Sequence, residues 1–335
     1  MIRVGIPRAL LYYQYYPMWK TFFEALDAEV IVSPATTQTM LAGGSSRVVA
    51  DTCLPVKVFL GHVLNLAKEC DYIFIPSIRS VKKRVYNCSK FLGLPDMTRA
   101  VIPEAPPILD TEIDINKPSR TLYQTIYQLG RHFTWNPMKI KQAATAAWQA
   151  HKDYYQLMAQ QTLTPPQAIA ALTDKTMPAP QLPANISPAA QTRVALIGHP
   201  YMLYDEHINH RLITKLQHYG IQVFIPEMVT TPDLEMYTDR LVGNAYWTYE
   251  HEVVGAGGYY LDSKVDGVIG AMAFGCGPDS LMMDVVRRQA NRQREHAFMC
   301  LTLEEHTAEA GLVTRLEAFL DMVTRKKRRR QELCV

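Results

Sequence analysis

The chain has 335 residues, more than one hydrophobic core usually supports, so two domains are expected. Hydrophobic residues make up 48% and charged residues 20% of the sequence, a balance that excludes wholesale disorder. The net charge of +3 comes from one run of six basic residues at 325–330, because the rest holds 29 basic and 32 acidic residues; this excludes the broad basic face that a nucleic-acid partner requires.

A membrane segment and a secretion signal are not expected either. No apolar run approaches the roughly 18 residues of a membrane span. The first residues lack the basic head and the long apolar stretch of a signal peptide. A cytoplasmic location follows, and it makes structural disulfides unexpected for the six cysteines, since the cytosol keeps thiols reduced.

Two distant stretches of the chain share one pattern. Residues 3–34 and 193–226 each read as a strand, a Gly-x-Pro turn, a helix with apolar i, i+3, i+4 spacing, and a second strand. The helix of the second stretch is predicted to run through Ile208 and Leu216. Each stretch predicts a βαβ unit that opens a parallel sheet. Further buried strands are predicted at 73–78 and 265–274.

These patterns predict two Rossmann-like domains, each a doubly wound parallel sheet, that face a cleft and are accompanied by connecting helices. The α/β domains are assigned to residues 1–110 and 191–324. Between them we predict a helical connecting segment at 111–175 and an extended Pro-rich linker at 176–190. The chain ends in an amphipathic helix at 312–324 and a basic tail at 325–335, which is expected to be solvated.

Three of the cysteines are expected at one kind of position. In open α/β sheets, ligands bind outside the carboxyl ends of the strands, beside helix N-termini. Cys53 and Cys276 each lie two residues before a proline that suits the first turn of a helix, and Cys88 lies in the loop after the strand at 73–78. We therefore predict all three at the carboxyl edge of a sheet.

The other three cysteines are predicted elsewhere. Cys70 precedes a strand and belongs to the opposite edge, and Cys334 lies in the tail. Cys300 stands in an apolar run and is predicted to be a small buried hydrophobic residue.

Three thiolates beside helix N-termini would suit a metal centre. The helix dipole and the unpaired N–H groups favour thiolates and stabilise an anionic ligand set. One interpretation is a four-iron cluster held by three cysteines, with the fourth iron open. A second is a zinc site completed by a histidine such as His62 or His199, and a third is that the cysteines are unrelated. Spacing alone leaves these three open.

Polar residues near the same edge are candidates for catalysis. Glu305 and His306 follow the last predicted strand, and His199 occupies the turn after the first strand of the second half. They could donate protons or support a metal ligand. The alternative is a helix-capping group for the first two and a turn residue for His199. Lys57 and Lys90, which flank the cysteines, are expected to be solvated.

Several motifs together resemble one family. They lie at residues 5–10, 52–57, 87–96 and 274–280, with smaller matches at 198–201 and 305–311. They are similar to the acyl-CoA dehydratase activase-related family, which carries a domain of unknown function, DUF2229. That family is related to the cluster-bearing subunits of 2-hydroxyacyl-CoA dehydratases and to double-cubane cluster proteins. The similarity excludes roughly residues 105–190 and the basic tail, and Ser89 stands where the family usually has proline.

The resemblance implies a [4Fe-4S] cluster held by Cys53, Cys88 and Cys276 between the two domains, or a double-cubane cluster in which two clusters share a sulfide. It also implies one-electron transfer or ATP-dependent reductive chemistry on an acyl-CoA or another small molecule. No phosphate-binding glycine loop is recognised, since residues 255–258 read as a helix-to-loop segment. The implied partner is therefore an ATP-dependent activator or reductase protein.

The sequence leaves open whether the chain is itself an enzyme. The resemblance would make it a lyase or reductase component similar to 2-hydroxyacyl-CoA dehydratase. A non-catalytic cluster carrier or interaction subunit and a zinc-stabilised binding protein are the alternatives. A homodimer is one assembly that we consider.

Overall fold

The computed structural model describes residues 1–173, 192–263, 265–293 and 296–332. This part of the chain divides into two compact units. The first contains residues 1–173 and 246–248, and the second contains the other residues from 192 onward. The helices predicted as a connecting segment belong to the first unit. The predicted Pro-rich linker at 176–190 lies outside the described residues.

The first unit alternates strands and helices and then ends in three helices. Its elements are β1 (Arg3–Ile6), α1 (Tyr12–Glu24), β2 (Glu29–Val32), α2 (Gln38–Ser45), α3 (Leu54–Leu66), β3 (Tyr72–Phe74), β4 (Ser77–Ser80), α4 (Ser89–Leu92), α5 (Leu94–Val101), β5 (Ile108–Leu109), β6 (Glu112–Asp114), α6 (Ser119–Gly130), α7 (Pro137–Gln161) and α8 (Pro165–Thr173). The long helix α7 packs on α1, where the buried Tyr154 hydroxyl donates to the carbonyl of Tyr13 at 2.7 Å.

The main sheet of the first unit is parallel, in the order β2-β1-β3-β5. Val4 of β1 pairs with Val30 on one side and with Tyr72 on the other. The predicted strand at 73–78 is wrong as a single strand. The backbone leaves this sheet after Phe74, and β4 pairs instead with β6 in a separate two-stranded sheet.

The second unit repeats the same design. Its elements are β7 (Arg193–Gly198), α9 (Pro200–Tyr204), α10 (Leu212–His218), β8 (Gln222–Phe224), a 3₁₀ turn (Pro226–Met228), α11 (Thr231–Val242), a π-helical turn (His251–Gly255), α12 (Ala256–Asp262), β9 (Gly267–Ala273), α13 (Gly277–Gln293), β10 (Ala297–Leu303) and α14 (Glu309–Glu332). The predicted helix through Ile208 and Leu216 is wrong in extent, because residues 205–211 separate α9 from α10.

The sheet of the second unit is also parallel, in the order β8-β7-β9-β10. In both units the first strand therefore lies between the second and the third, so the α/β class with parallel sheets is confirmed. Strands β7 and β9 are almost wholly buried, as expected for a parallel sheet covered on both faces. The strand order reverses between β7 and β9, and ligands of open α/β sheets bind beside such a reversal.

Close packing fixes the helix that follows β9. A Cβ atom on Gly270 of β9 would lie 2.1 Å from the sulfur of Met283 in α13. A Cβ atom on Gly198, at the end of β7, would lie 2.4 Å from the carbonyl oxygen of Ala271. The clash at Gly198 is with backbone, which cannot move aside as a side chain can, so glycine there lets the end of β7 lie this close to β9.

The basic run at 325–330 belongs to a helix. Helix α14 is longer than the predicted 312–324, and it continues through Glu332. Leu312, Leu316, Phe319 and Val323 form its buried face, as the apolar spacing predicts. Lys326 donates to the carbonyl of His296 at 2.9 Å, and Lys327 lies 3.3 Å from the carboxylate of Asp266. Part of the basic run thus docks on the second unit rather than being fully solvated.

Across the described ranges, no helix combines the length and the apolar character that a bilayer crossing requires.

Candidate metal centre

Cys53 stands immediately before α3 in the first unit. Its carbonyl accepts hydrogen bonds from the N–H groups of Val56 and Lys57 at 3.1 and 3.3 Å. Pro55 fits the first turn because no donor is needed there. The side chain of Cys53 is half-buried. Its thiol therefore lies at a helix N-terminus, where the helix dipole favours a thiolate.

Cys88 occupies the same kind of position before the short helix α4. The preceding Asn87 is bound along β4, since its N–H donates to Arg79 O at 2.8 Å and its side chain donates to Ile78 O at 3.2 Å. Cys88 is half-buried, and Lys90 is exposed as predicted.

Burial is the main influence on the pKa of the Cys53 thiol, and nearby charges act on it as well. Burial raises the pKa of the Cys53 thiol above its ordinary value, the backbone N–H of Val56 lowers it, and the charge of Cys88 raises it further. The ammonium group of Lys90 opposes this rise.

Cys276 stands between β9 and α13 in the second unit. Its N–H donates to Ala273 O at 3.2 Å, and its carbonyl accepts the N–H of Ser280 at 3.1 Å, which starts the helix. Gly275 makes the turn possible because its φ of +77° lies in the left-handed region. Cys276 is half-buried and lies at the carboxyl end of a strand.

His199 and Asp279 join Cys276 at the ends of β7 and β9. A ring nitrogen of His199, the sulfur of Cys276 and a carboxylate oxygen of Asp279 all lie within 4.8 Å of one another. His199 Nδ1 is 3.8 Å from Asp279 Oδ2, and both side chains are buried. Tyr249 packs against His199 with ring centroids 4.6 Å apart.

One polar atom of each buried side chain is satisfied and the other is not. The Tyr201 hydroxyl lies 2.6 Å from His199 Nδ1, and the N–H of Ala273 donates to Asp279 Oδ2 at 2.9 Å. Among the described residues, His199 Nε2 and Asp279 Oδ1 have no hydrogen-bond partner. Leaving such a group unsatisfied costs about 1–3 kcal/mol, so each such atom in a native structure requires an explanation.

The pKa values of this pair shift in opposite directions. Burial lowers the pKa of His199, and the nearby Asp279 partly offsets that effect. Burial raises the pKa of Asp279, and both His199 and the N–H of Ala273 partly offset it. Burial therefore favours the neutral forms of both groups.

Sequence reasoning missed Asp279 and Tyr201. Asp279 stands three residues after Cys276, a spacing that also suits an ordinary acidic residue in the first turn of a helix. Its proximity to His199 arises from the pairing of β7 with β9, which no local pattern reveals.

Glu305, His306 and Glu309 lie around the start of α14. His306 is exposed, and Glu309 pairs with Lys215 at 2.5 Å. The hydroxyl of Thr307 accepts the N–H of Glu304 at 2.9 Å. These bonds stabilise the turn ahead of α14, which begins at Glu309, and the catalytic and capping interpretations both stay predictions.

The remaining cysteines occupy different environments. Cys70 is buried, its thiol donates to Leu66 O at 3.3 Å, and burial raises its pKa to about 11. The prediction that Cys300 is a buried residue is wrong, because β10 is an edge strand and leaves this thiol half-exposed. Partial burial still raises its pKa to about 11. Cys334 lies outside the described residues.

Two further residues differ from expectation. His62 is an unsuitable zinc ligand, because Ser33 Oγ lies 2.8 Å from its Nδ1 and Thr36 Oγ1 lies 2.9 Å from its Nε2. Lys57 is not solvated: its side chain is buried in α3, and its ammonium donates to Ala50 O at 2.8 Å. Its long apolar stem packs inside the unit, while its ammonium group hydrogen-bonds to a backbone carbonyl.

The glycine-rich segment at 255–258 is part of a helix rather than a loop. Gly255 ends the π-helical turn, and residues 256–258 begin α12 without a break. A phosphate-binding loop needs backbone N–H groups that point outward, whereas a helix interior uses them internally.

Comparison with known families gives a match over residues 3–229, to a domain described as the CoA enzyme activase uncharacterised domain, DUF2229. The family predicted from the motifs is thereby confirmed. The match includes residues 105–190, which the motifs did not cover, and it contains Cys53, Cys88 and His199 but ends before Cys276. A search among curated proteins found no match.

Proposed function

Because the chain belongs to the CoA enzyme activase family that carries the DUF2229 domain, we propose that it is an iron–sulfur protein serving a CoA-dependent enzyme. In this proposal Cys53, Cys88 and Cys276 are the protein ligands of a [4Fe-4S] cluster. When bound, the cluster would store and release one electron at a time.

One observation carries the proposal: each of the three cysteines stands immediately before a helix, Cys53 and Cys88 in the first unit and Cys276 in the second. Thiolates favour this position, and N–H groups near the sulfurs tune cluster potentials. The charge of Cys88 acts on the Cys53 thiol, which suits two ligands of one centre. The three side chains are half-buried, which suits ligands that must be reached by iron and sulfide during assembly.

A zinc site completed by His62 is disfavoured, because both ring nitrogens of that histidine are already engaged. A four-iron cluster needs no histidine, since thiolates are its usual ligands.

ATP is assigned to a partner protein. Residues 255–258 are helical, so this glycine-rich segment does not supply a phosphate loop. An ATP-dependent activator would deliver one low-potential electron to this chain, and an acyl-CoA thioester would be its acceptor. A non-catalytic cluster carrier remains the second role, and the acceptor assay described below separates the two.

The cluster is tested by purifying the protein without oxygen and recording its visible spectrum. We expect a brown chromophore that is lost in Cys53→Ala, Cys88→Ala and Cys276→Ala. Cys70→Ala and Cys300→Ala are the matched controls and should keep it. The reverse pattern would refute the ligand set.

The electron-transfer role is tested by mixing the reduced protein with an acyl-CoA and an activator. Bleaching followed by reoxidation of the chromophore on adding the thioester would support the enzymatic role. Reduction without reoxidation would favour the carrier role.

A further inference from the structure

The second unit contains a set of metal donors that the cluster proposal does not use in full. His199 and Asp279 are both buried, and each presents one atom that lacks a hydrogen-bond partner among the described residues. The sulfur of Cys276 lies within 4.8 Å of a ring nitrogen of His199 and of a carboxylate oxygen of Asp279. Nitrogen, carboxylate oxygen and thiolate sulfur together form a donor set typical of zinc and of other divalent transition metals.

We propose that His199, Cys276 and Asp279 form a binding site for one divalent transition-metal ion within the second unit. Zinc–ligand bonds measure about 2.0–2.3 Å, so donor atoms within 4.8 Å of one another can close on one ion through small side-chain rotations. The ion would bind His199 Nε2 and Asp279 Oδ1, which otherwise are buried without a partner at a cost in desolvation free energy.

The surroundings already orient the ligands. A metal-bound histidine usually donates its second ring N–H to a neighbouring oxygen. The Tyr201 hydroxyl lies 2.6 Å from His199 Nδ1, so it can accept that N–H and leave Nε2 for the metal. The N–H of Ala273 holds Asp279 Oδ2 at 2.9 Å, which leaves Oδ1 for the metal. Three protein ligands leave a fourth position for water or another small ligand.

This site does not depend on the proposed cluster, although the two share Cys276. One thiolate cannot serve both centres in the same way, so a bound ion and a cluster compete for it. The ion site therefore belongs to the protein before cluster assembly or without it.

The test uses cobalt(II) chloride as the probe on the full chain, stripped of metal by a chelator under reducing, oxygen-free conditions. Cobalt bound to a thiolate gives a charge-transfer absorption. We expect one cobalt ion per chain with this absorption, and its loss in Cys276→Ser. His199→Gln and Asp279→Asn should each weaken cobalt binding by roughly tenfold or more.

Controls separate this inference from the cluster proposal. Cys53→Ala and Cys88→Ala should bind cobalt like the wild type even where they lose the brown chromophore. Cys300→Ala removes a thiol from the neighbouring strand β10 and should also bind normally. Asp279→Asn keeps an oxygen for the N–H of Ala273, so it remains informative if His199→Gln fails to fold, which circular dichroism would reveal.

Several results would overturn the inference. These are the absence of cobalt binding by the wild type, unchanged affinity in both His199→Gln and Asp279→Asn, or loss of cobalt in Cys53→Ala with retention in His199→Gln. The last result would place the metal on the first unit's thiols.

Discussion

The hydroxyl of Tyr201 lies 2.6 Å from Nδ1 of the buried His199. Tyr201 thus sets which ring nitrogen of His199 is available at the ends of β7 and β9. We expect Tyr201→Phe to leave Nδ1 unsatisfied and to destabilise the protein by about 1–3 kcal/mol. Cobalt affinity should fall by roughly 10–100-fold, since the ring loses its orienting partner.

Urea unfolding and a cobalt titration measure these two effects. Tyr219→Phe is the control, because Tyr219 is exposed and its hydroxyl contacts Glu317 at 3.2 Å on the surface. Equal stability and equal cobalt affinity of Tyr201→Phe and Tyr219→Phe would show that Tyr201 does not orient His199.

The raised pKa of Glu227 predicts that the protein loses stability as pH rises. Burial raises the pKa of this carboxyl to about 7, while the hydrogen bond donated by Tyr204 partly offsets the rise. The folded protein then holds a proton that the unfolded chain releases near pH 4.5. The free energy of unfolding should therefore decrease by up to about 1.4 kcal/mol per pH unit between these values.

Glu227→Gln keeps an oxygen for the Tyr204 hydroxyl and should flatten this dependence in urea unfolding between pH 5 and pH 8. Glu206→Gln changes an exposed carboxyl of the same unit and should leave it intact. If the free energy of unfolding still falls with pH in Glu227→Gln, another group causes the pH dependence.

The lowered pKa of His62 predicts that the protein loses stability as pH falls. Burial lowers its pKa from 6.5 to about 3, with Arg8 as a smaller cause. In the unfolded chain His62 binds a proton near pH 6.5, whereas in the folded protein it does so only near pH 3. The free energy of unfolding therefore decreases as pH falls from 6.5 towards 3. We expect His62→Gln to reduce this acid slope, which is at most about 1.4 kcal/mol per pH unit.

Acid unfolding followed by circular dichroism measures the effect of His62. His132→Gln is the control, since that histidine is exposed in the same unit. His62→Gln should also retain the metal content of the wild type, and loss of metal with an intact fold would return His62 to the list of ligands.

The position of Cys53 depends on close packing of α2 against α3. A Cβ atom on Gly61 would lie 2.1 Å from the backbone oxygen of Met40, so the helices must separate in Gly61→Ala. We expect this change to destabilise the protein by about 1–3 kcal/mol and to reduce cluster content after anaerobic purification.

Gly43→Ala tests whether the effect comes from packing. Its Cβ would meet Leu64 at an ordinary 3.5 Å, and alanine favours a helix over glycine by about 1 kcal/mol. The melting temperature of Gly43→Ala should therefore equal or exceed that of the wild type, and the melting temperature of Gly61→Ala should be lower. The reverse order would contradict the packing account.

Local signals in the sequence predicted much of this architecture. Apolar strands followed by Gly-x-Pro turns marked both βαβ openings, because glycine adopts turn conformations that other residues avoid and proline fixes φ. Pro55 and Pro278 located the helices behind Cys53 and Cys276 for the same reason.

Other features depend on tertiary contacts and had no local signal. The chain between Phe74 and Ser77 changes sheets, although its residues are as apolar as a continuous strand. Lys57 is buried because its stem fits inside the first unit and the carbonyl oxygen of Ala50 accepts a hydrogen bond from its ammonium group. The meeting of His199 with Asp279 follows from the pairing of β7 with β9. Sequence patterns identify the elements but not which of their ends come together.

Iron and acid-labile sulfide, measured together on protein purified without oxygen, test the central claim most directly. The account predicts about four of each per chain, and loss of both when Cys53, Cys88 or Cys276 is replaced by alanine. Iron or zinc without labile sulfide, or sulfide that survives all three substitutions, would contradict it.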